Sequence, residues 1–188
     1  MPRRLILLAH NIRSLWNVGS FFRTGDAFGV EKIYLTGYTA TPPRREISKT
    51  ALGAEEFVPW KFEQDPVKVI KVLKRKGYVI VALEQAKKAV VLSDYEPPSK
   101  VCLIVGHEVL GVSKELLKLC DAIVHIPMQG KKESLNVAVA AGIALHRLEA
   151  CSGVAVSRRS SLSFANDVTH ERRDGCCGDR AAPYSHKL

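Results

Sequence analysis

Three short stretches of this chain hold residues whose types and spacing could do chemistry. The first, NVGSFFRT, places Asn17, Gly19, Arg23 and Thr24 close together. The second, VGHEVLG, puts His107 and Glu108 directly after an apolar run ending in Gly106. The third, IPMQGKKESLN, brings Lys131, Lys132, Ser134 and Asn136 to the start of a segment made almost wholly of Ala, Val, Ile and Gly. Arg23 carries a permanent charge and a planar fork of donors, which suits phosphate or a developing oxyanion. Its plainer reading is a solvated helix residue. Glu108, at the end of a buried run, needs a partner. That partner is either a backbone amide or lysine, or else an active-site arginine or the loop of a neighbouring stretch. Ser134 reads as a helix cap. Asn136 reads as a residue inside the first turn, where Asn is a poor helix former and calls for another reason to be present. Lys131 and Lys132 suit phosphate contact or a solvated loop.

Several chemistries are absent from the pattern. No G-x-G-x-x-G follows the first apolar run, so a Rossmann dinucleotide site is not expected, and there is no Walker A lysine loop. No G-x-S-x-G elbow supports a serine hydrolase. The six histidines are scattered and the five cysteines form no C-x-x-C, so no metal is expected. An odd, irregular cysteine set also argues against a disulfide framework.

The elements that must position these groups alternate in type. Near-continuous apolar runs at 4–10, 32–37, 78–84, 101–106 and 122–128 read as buried strands, with an edge strand over 57–60. Helices are expected over 17–30, entered through Asn17 and closed by Gly29, and over 65–77, with Pro66 at its first position. Further helices are expected over 113–120 with Ser113 as cap, over 134–149, and as a short turn over 49–55. Such alternation implies an α/β fold, a mostly parallel sheet with helices on both faces, binding its ligand at the carboxyl ends of the strands. All three stretches fall at such ends. From residue 151 the sequence loses any sustained period and is rich in Ser, Arg, Asp and Gly. The expected division is therefore a domain over 1–150 and a weakly ordered tail over 151–188.

With 46% hydrophobic and 25% charged residues, the chain has the make-up of a soluble globular protein. No apolar run approaches the ~20 residues that cross a bilayer. The basic, briefly apolar start is too short for a secretory signal. A cytoplasmic location and no membrane contact are expected. Residues 1–150 hold 22 Lys/Arg against 15 Asp/Glu, and the remaining 38 hold 6 against 4, so the positive excess belongs to the folded part. A polyanion such as RNA is one natural partner for it. Arg44, Arg45, Lys49 and the cluster of lysines and arginine at 71–76 are candidates for a phosphate track.

Together the three stretches resemble the SPOUT superfamily of RNA methyltransferases, in its SpoU (TrmH-like) branch. The family pattern N-x-G-x-x-x-R-T is met by Asn17, Gly19, Arg23 and Thr24. The pattern G-N-E-x-x-G is met by Gly106, Glu108 and Gly111, with His107 in the usual place of Asn. The pattern I-P-M-x-G-x-x-x-S-L-N is met by Ile126, Pro127, Met128, Gly130, Ser134, Leu135 and Asn136. The resemblance implies a C-terminal trefoil knot, a homodimer, and S-adenosylmethionine gripped by backbone groups of Gly106, Ile126 and Leu135, with Leu83 as a further contact. It implies methylation of a ribose 2′-hydroxyl in tRNA or rRNA. Arg23 becomes the central catalytic residue, Asn17 and Glu108 orient it or its loop, and Ser134 and Asn136 hold ribose or phosphate. RNA contact is assigned to Arg23, Arg44, Arg45, Lys131 and Lys132. The first strand begins within five residues of the start, so recognition is expected from the core, a dimer partner or the tail. Two other readings remain: a non-catalytic SPOUT-like RNA-binding or assembly protein, and a SPOUT enzyme that methylates a base nitrogen.

Overall fold

The computed structural model describes residues 3–150. The expected tail over 151–188, and with it the domain boundary at residue 150, lies outside the described residues. Seven strands form one sheet: β1 (Arg4–His10), β2 (Lys32–Thr36), β3 (Trp60–Glu63), β4 (Val79–Leu83), β5 (Val90–Val91), β6 (Lys100–Val105) and β7 (Ala122–His125). Their order is β3-β2-β1-β6-β4-β7-β5, and every pairing is parallel. The helices are α1 (Leu15–Ala27), α2 (Arg45–Ala51), α3 (Ala54–Phe57), α4 (Pro66–Arg75), α5 (Lys114–Leu117) and α6 (Val137–Ala150).

The continuous apolar runs are explained by two cores, one on each face. In β1, Leu5, Leu7 and Ala9 enter the core shared with α1, α2 and α6, while Ile6 and Leu8 enter the core under α4 and α5. β6 divides in the same way, with Val101, Leu103 and Val105 on one side and Cys102 and Ile104 on the other. Because side chains alternate along a strand, burial on both faces removes the polar half of the pattern.

Four elements differ from expectation. α1 starts two residues early: Ser14 caps it, its hydroxyl accepting from Asn17 N, so Asn17 sits inside the first turn. The turn at 49–55 becomes two short helices, α2 and α3, separated by Leu52 and Gly53 in left-handed backbone. β3 lies at 60–63 and not 57–60. Pro59 has no N–H, and only its carbonyl joins the sheet, accepting from Ile33 N at 2.9 Å, so regular pairing begins at Trp60. β5, a two-residue strand, carries too little pattern to be read from sequence.

Gly19 packs α1 on α2. A Cβ there would lie 1.9 Å from Thr50 Oγ1 and 2.3 Å from the Ile47 carbonyl oxygen. Gly19→Ala is therefore expected to destabilise the fold by about 2–3 kcal/mol through overpacking. Equilibrium denaturation would measure this, and an unchanged midpoint would show that α2 moves aside freely.

Candidate active site

The strand carboxyl ends bring the three stretches together. The first opens α1 after β1, the second follows β6, and the third joins β7 to α6. A chain of hydrogen bonds ties them. The Glu108 carboxylate accepts from Arg13 N, Ser14 N and Asn17 Nδ2, each at 3.0 Å. Asn17 Oδ1 accepts from Asn136 Nδ2 at 3.1 Å. Asn136 Oδ1 accepts from Ala138 N at 2.9 Å and Val139 N at 3.3 Å. One carboxylate and two amides thus couple the start of α1, the loop after β6 and the start of α6.

This corrects one expectation and decides between the alternatives left open for another. The cap of α6 is Asn136 and not Ser134, because Asn136 supplies both the side-chain acceptor and the first helical carbonyl, bonded by Ala140 N at 2.9 Å. Both ends of its amide are engaged, the oxygen by the start of α6 and Nδ2 by Asn17, which leaves one Nδ2 hydrogen open to a ligand. Of the partners open to Glu108, the structure shows backbone amides and the neighbouring stretch: it holds the mouth of α1, the helix that carries Arg23. Burial by itself pushes the Glu108 carboxyl upward, but the bonds from Ser14 and Arg13 N–H and from Asn17 outweigh it, and the group is held below the ordinary carboxylate value. A carboxylate so held is a weaker base than a free one.

His107 occupies the family's Asn position and makes local bonds to the loop backbone. Its Nδ1 accepts from Val109 N at 2.9 Å and Leu110 N at 3.1 Å, the local turn bond that an Asn side chain makes. This requires the tautomer with the proton on Nε2. The loop then closes on itself: His107 and Gly111 exchange backbone bonds at 3.1 and 2.8 Å. At Gly106 a Cβ would lie 2.3 Å from the Gly111 oxygen, so no side chain fits.

Beside this relay is a cleft. Leu83, Gly106, Ile126 and Leu135 all line it, with Glu108, Met128 and Ser134. The four residues assigned to the cofactor from the motifs therefore share one cavity. Its walls combine apolar side chains and backbone, which suit the faces of a nucleoside base, with the polar Glu84, Gln85, His107, Glu108, His125 and Ser134. Ser134 is exposed and makes no hydrogen bond among the described residues. Glu84 and Gln85 were missed in sequence. Glu84 accepts from Val112 N at 2.7 Å and Gln85 N at 2.9 Å, and Gln85 Nε2 donates to the Ile126 carbonyl at 3.1 Å. An acidic residue closing the buried strand VIVAL was a signal of the same kind as Glu108.

Arg23 lies exposed on α1, and its side chain makes no hydrogen bond or ion pair among the described residues. Arg44 and Arg45 are exposed at the start of α2, and Lys131 and Lys132 are exposed in the connection to α6. The 71–76 cluster departs from expectation. It ends α4, next to the amino ends of the strands, where Lys74 pairs with Asp121 at 2.6 Å. The parallel topology puts that edge opposite the cleft. Among the described residues no His, Cys, Asp and Glu cluster could hold a metal ion, and no helix is long and apolar enough to cross a membrane.

Known proteins share both sequence and architecture. The chain is 34% identical over 146 residues to the tRNA (guanosine(18)-2′-O)-methyltransferase of Aquifex aeolicus, covering 77% of this chain and 68% of that one. It is 30% identical over 142 residues to the 23S rRNA (guanosine-2′-O-)-methyltransferase RlmB of Ralstonia nicotianae, spanning 75% of this chain but 56% of the relative. The crystal structure of the A. aeolicus TrmH/SpoU tRNA modifying enzyme superposes with a TM-score of 0.72 at 31% identity, covering 80% of this chain and 77% of that one. An AdoMet-bound rRNA methyltransferase from Sinorhizobium meliloti superposes with a TM-score of 0.74 at 28% identity, covering 79% and 56%. The sequence profile of the SpoU rRNA Methylase family matches residues 4–146, and the chain belongs to that family.

Proposed function

We propose that this protein is an S-adenosylmethionine-dependent RNA methyltransferase acting on a ribose 2′-hydroxyl of tRNA or rRNA. The observation that carries this reading is the Glu108–Asn17–Asn136 relay, which locks all three family stretches around one cleft. The names of the relatives above support the reaction and the class of RNA. Leu83, Gly106, Ile126 and Leu135 would hold S-adenosylmethionine, which supplies an electrophilic methyl group when bound.

The remaining work falls to this chain's own residues. The relay fixes the start of α1, the helix on which Arg23 stands two turns later, and so sets the backbone position from which the guanidinium reaches the RNA. Arg23 offers a cationic, planar fork of donors. It acts by gripping the phosphate beside the target ribose and stabilising the alkoxide that develops as the 2′-hydroxyl gives up its proton to solvent water. Ser134, free at the lip of the cleft, holds the ribose. Lys131, Lys132, Arg44 and Arg45 attract the phosphate backbone. Binding of the cofactor is expected to need no metal. Titration calorimetry in excess chelator checks this, and a heat of binding that appears only on adding a divalent ion would overturn it.

The finer expectations of the family belong to the same proposal: a trefoil knot at the C-terminus, a homodimer, a cytoplasmic location, and a methyltransferase domain complete within residues 1–150. A dimer accounts for a groove between α1 and α6, lined by Phe28, Val139, Gly142 and Ile143, in which Val139 is 52% and Ile143 43% exposed. A chain ended after Ser152 is expected to bind cofactor and run as a dimer in light scattering at micromolar concentration. A monomer at full length would remove the dimer from the proposal, and a truncated chain without cofactor binding would move the domain boundary.

A further inference from the structure

Two aromatic side chains stand exposed on the rim of the site. Tyr38 is 56% and Trp16 47% exposed. Burial of their faces is forgone, yet the backbone that presents them is tightly held. Asn11 takes a left-handed conformation, φ 57°, and its Oδ1 accepts from Tyr38 N at 3.2 Å. At Gly37, φ 66°, a Cβ would lie 1.9 Å from the same Oδ1. Thr39 Oγ1 then accepts from Ile12 N at 3.0 Å and donates to the Thr36 carbonyl at 2.8 Å. The Tyr38 ring, largely exposed on this anchored rim, stands perpendicular to the ring of His107, with centroids 6.4 Å apart at 84°. His107 is the neighbour of Glu108 in the relay. On the other side Trp16 precedes Asn17, its carbonyl accepts from Ser20 Oγ and Thr50 Oγ1, and Lys49 Nζ lies 5.7 Å from its ring centroid. Arg13, Arg44 and Arg45 are exposed nearby in sequence and on the same edge of the sheet.

An exposed π-face beside a cation is a surface on which nucleobases stack, and such stacking accepts any base because every base has a π-face. A duplex hides those faces. We propose that Tyr38 and Trp16 form a stacking platform for unpaired nucleobases, so that the nucleotide presented to Arg23 comes from a single-stranded, unstacked stretch of RNA. The platform rests on the function proposed above and adds the form in which the RNA is bound.

The test is equilibrium binding at one fixed salt concentration, using an unstructured RNA strand of mixed sequence and the same strand annealed to its complement. Wild type is expected to bind the single strand at least ~10-fold more tightly than the duplex. Tyr38→Ala and Trp16→Leu are each expected to weaken single-strand binding by about 10-fold, while Tyr38→Phe, which keeps the π-face, stays within ~2-fold. The strand should also quench tryptophan emission in wild type and much less in Trp16→Phe, where only the half-buried Trp60 remains. An S-adenosylmethionine titration on each variant reports whether the fold is intact. Equal affinity for strand and duplex, or wild-type binding by Tyr38→Ala and Trp16→Leu together, overturns the platform. If those variants also methylate RNA with unchanged KM, the platform fails and the function stands. Platform-dependent binding with no methyl transfer to any cellular RNA sinks the function and leaves the platform in place.

Discussion

Arg23→Lys is expected to abolish methyl transfer almost as completely as Arg23→Ala, by on the order of 10²–10³-fold, with S-adenosylmethionine binding retained in both. Lysine keeps the charge but loses the planar fork that grips two oxygens at once. The prediction is sharp because Arg23 makes no bond within the described residues that would be lost with it, so a folding defect is not expected. The cofactor contacts assigned to Leu83, Gly106, Ile126 and Leu135 lie in other loops. The measurement is a single-turnover assay on RNA from cells lacking the gene, with the three proteins side by side. Recovery of most of the rate by lysine would reduce Arg23 to a source of positive potential, and near-wild-type transfer by alanine would remove it from the mechanism. The product should resist alkaline cleavage at the labelled site, because a methylated 2′-oxygen cannot attack the neighbouring phosphate. Label released wholly as mononucleotides would indicate base methylation.

Glu108→Ala should cost about 3 kcal/mol of stability and most of the activity, since it strands three donors that now converge on one carboxylate. Glu108→Gln should lose less, because one acceptor oxygen remains, although its amide donors face donors. The two changes separate in acid. The folded carboxyl lies below its ordinary value, so its stabilisation is complete above the ordinary range near ~4.3 and fades as pH falls through the lowered folded value. The stability curves of wild type and Glu108→Gln are expected to converge at low pH and to differ most at neutrality. A deficit that persists unchanged into acid would mean that the carboxylate charge contributes nothing. Combining Glu108→Gln with Asn17→Ala should give a coupling of about 1 kcal/mol, since the two side chains share a bond. Strict additivity would break the relay into independent contacts.

How much of this was legible beforehand differs by element. The strands β1, β4 and β6 and the helix α4 were readable because two-sided burial and amphipathic spacing are local properties written along the chain, as in Pro66 at the first helical position and Gly77 beyond the last. The three motif loops were readable because their residue types are unusual for caps and turns, and their place at the strand ends follows from the alternation alone. The partners of those residues were not readable. Glu108 and Asn17 are 91 positions apart, and Asn17 and Asn136 are 119 apart, so no spacing rule connects them. Only the parallel order β1-β6-β4-β7, which folds every strand end onto one edge, brings them within hydrogen-bond reach. The same order sends the lysines of α4 to the far edge, although in sequence they look like one more basic patch for RNA. The capping of α6 by Asn136 and of α1 by Ser14 was also decided in three dimensions, because a side-chain acceptor caps wherever the backbone turns to meet it, and that turn is set by what the helix packs against.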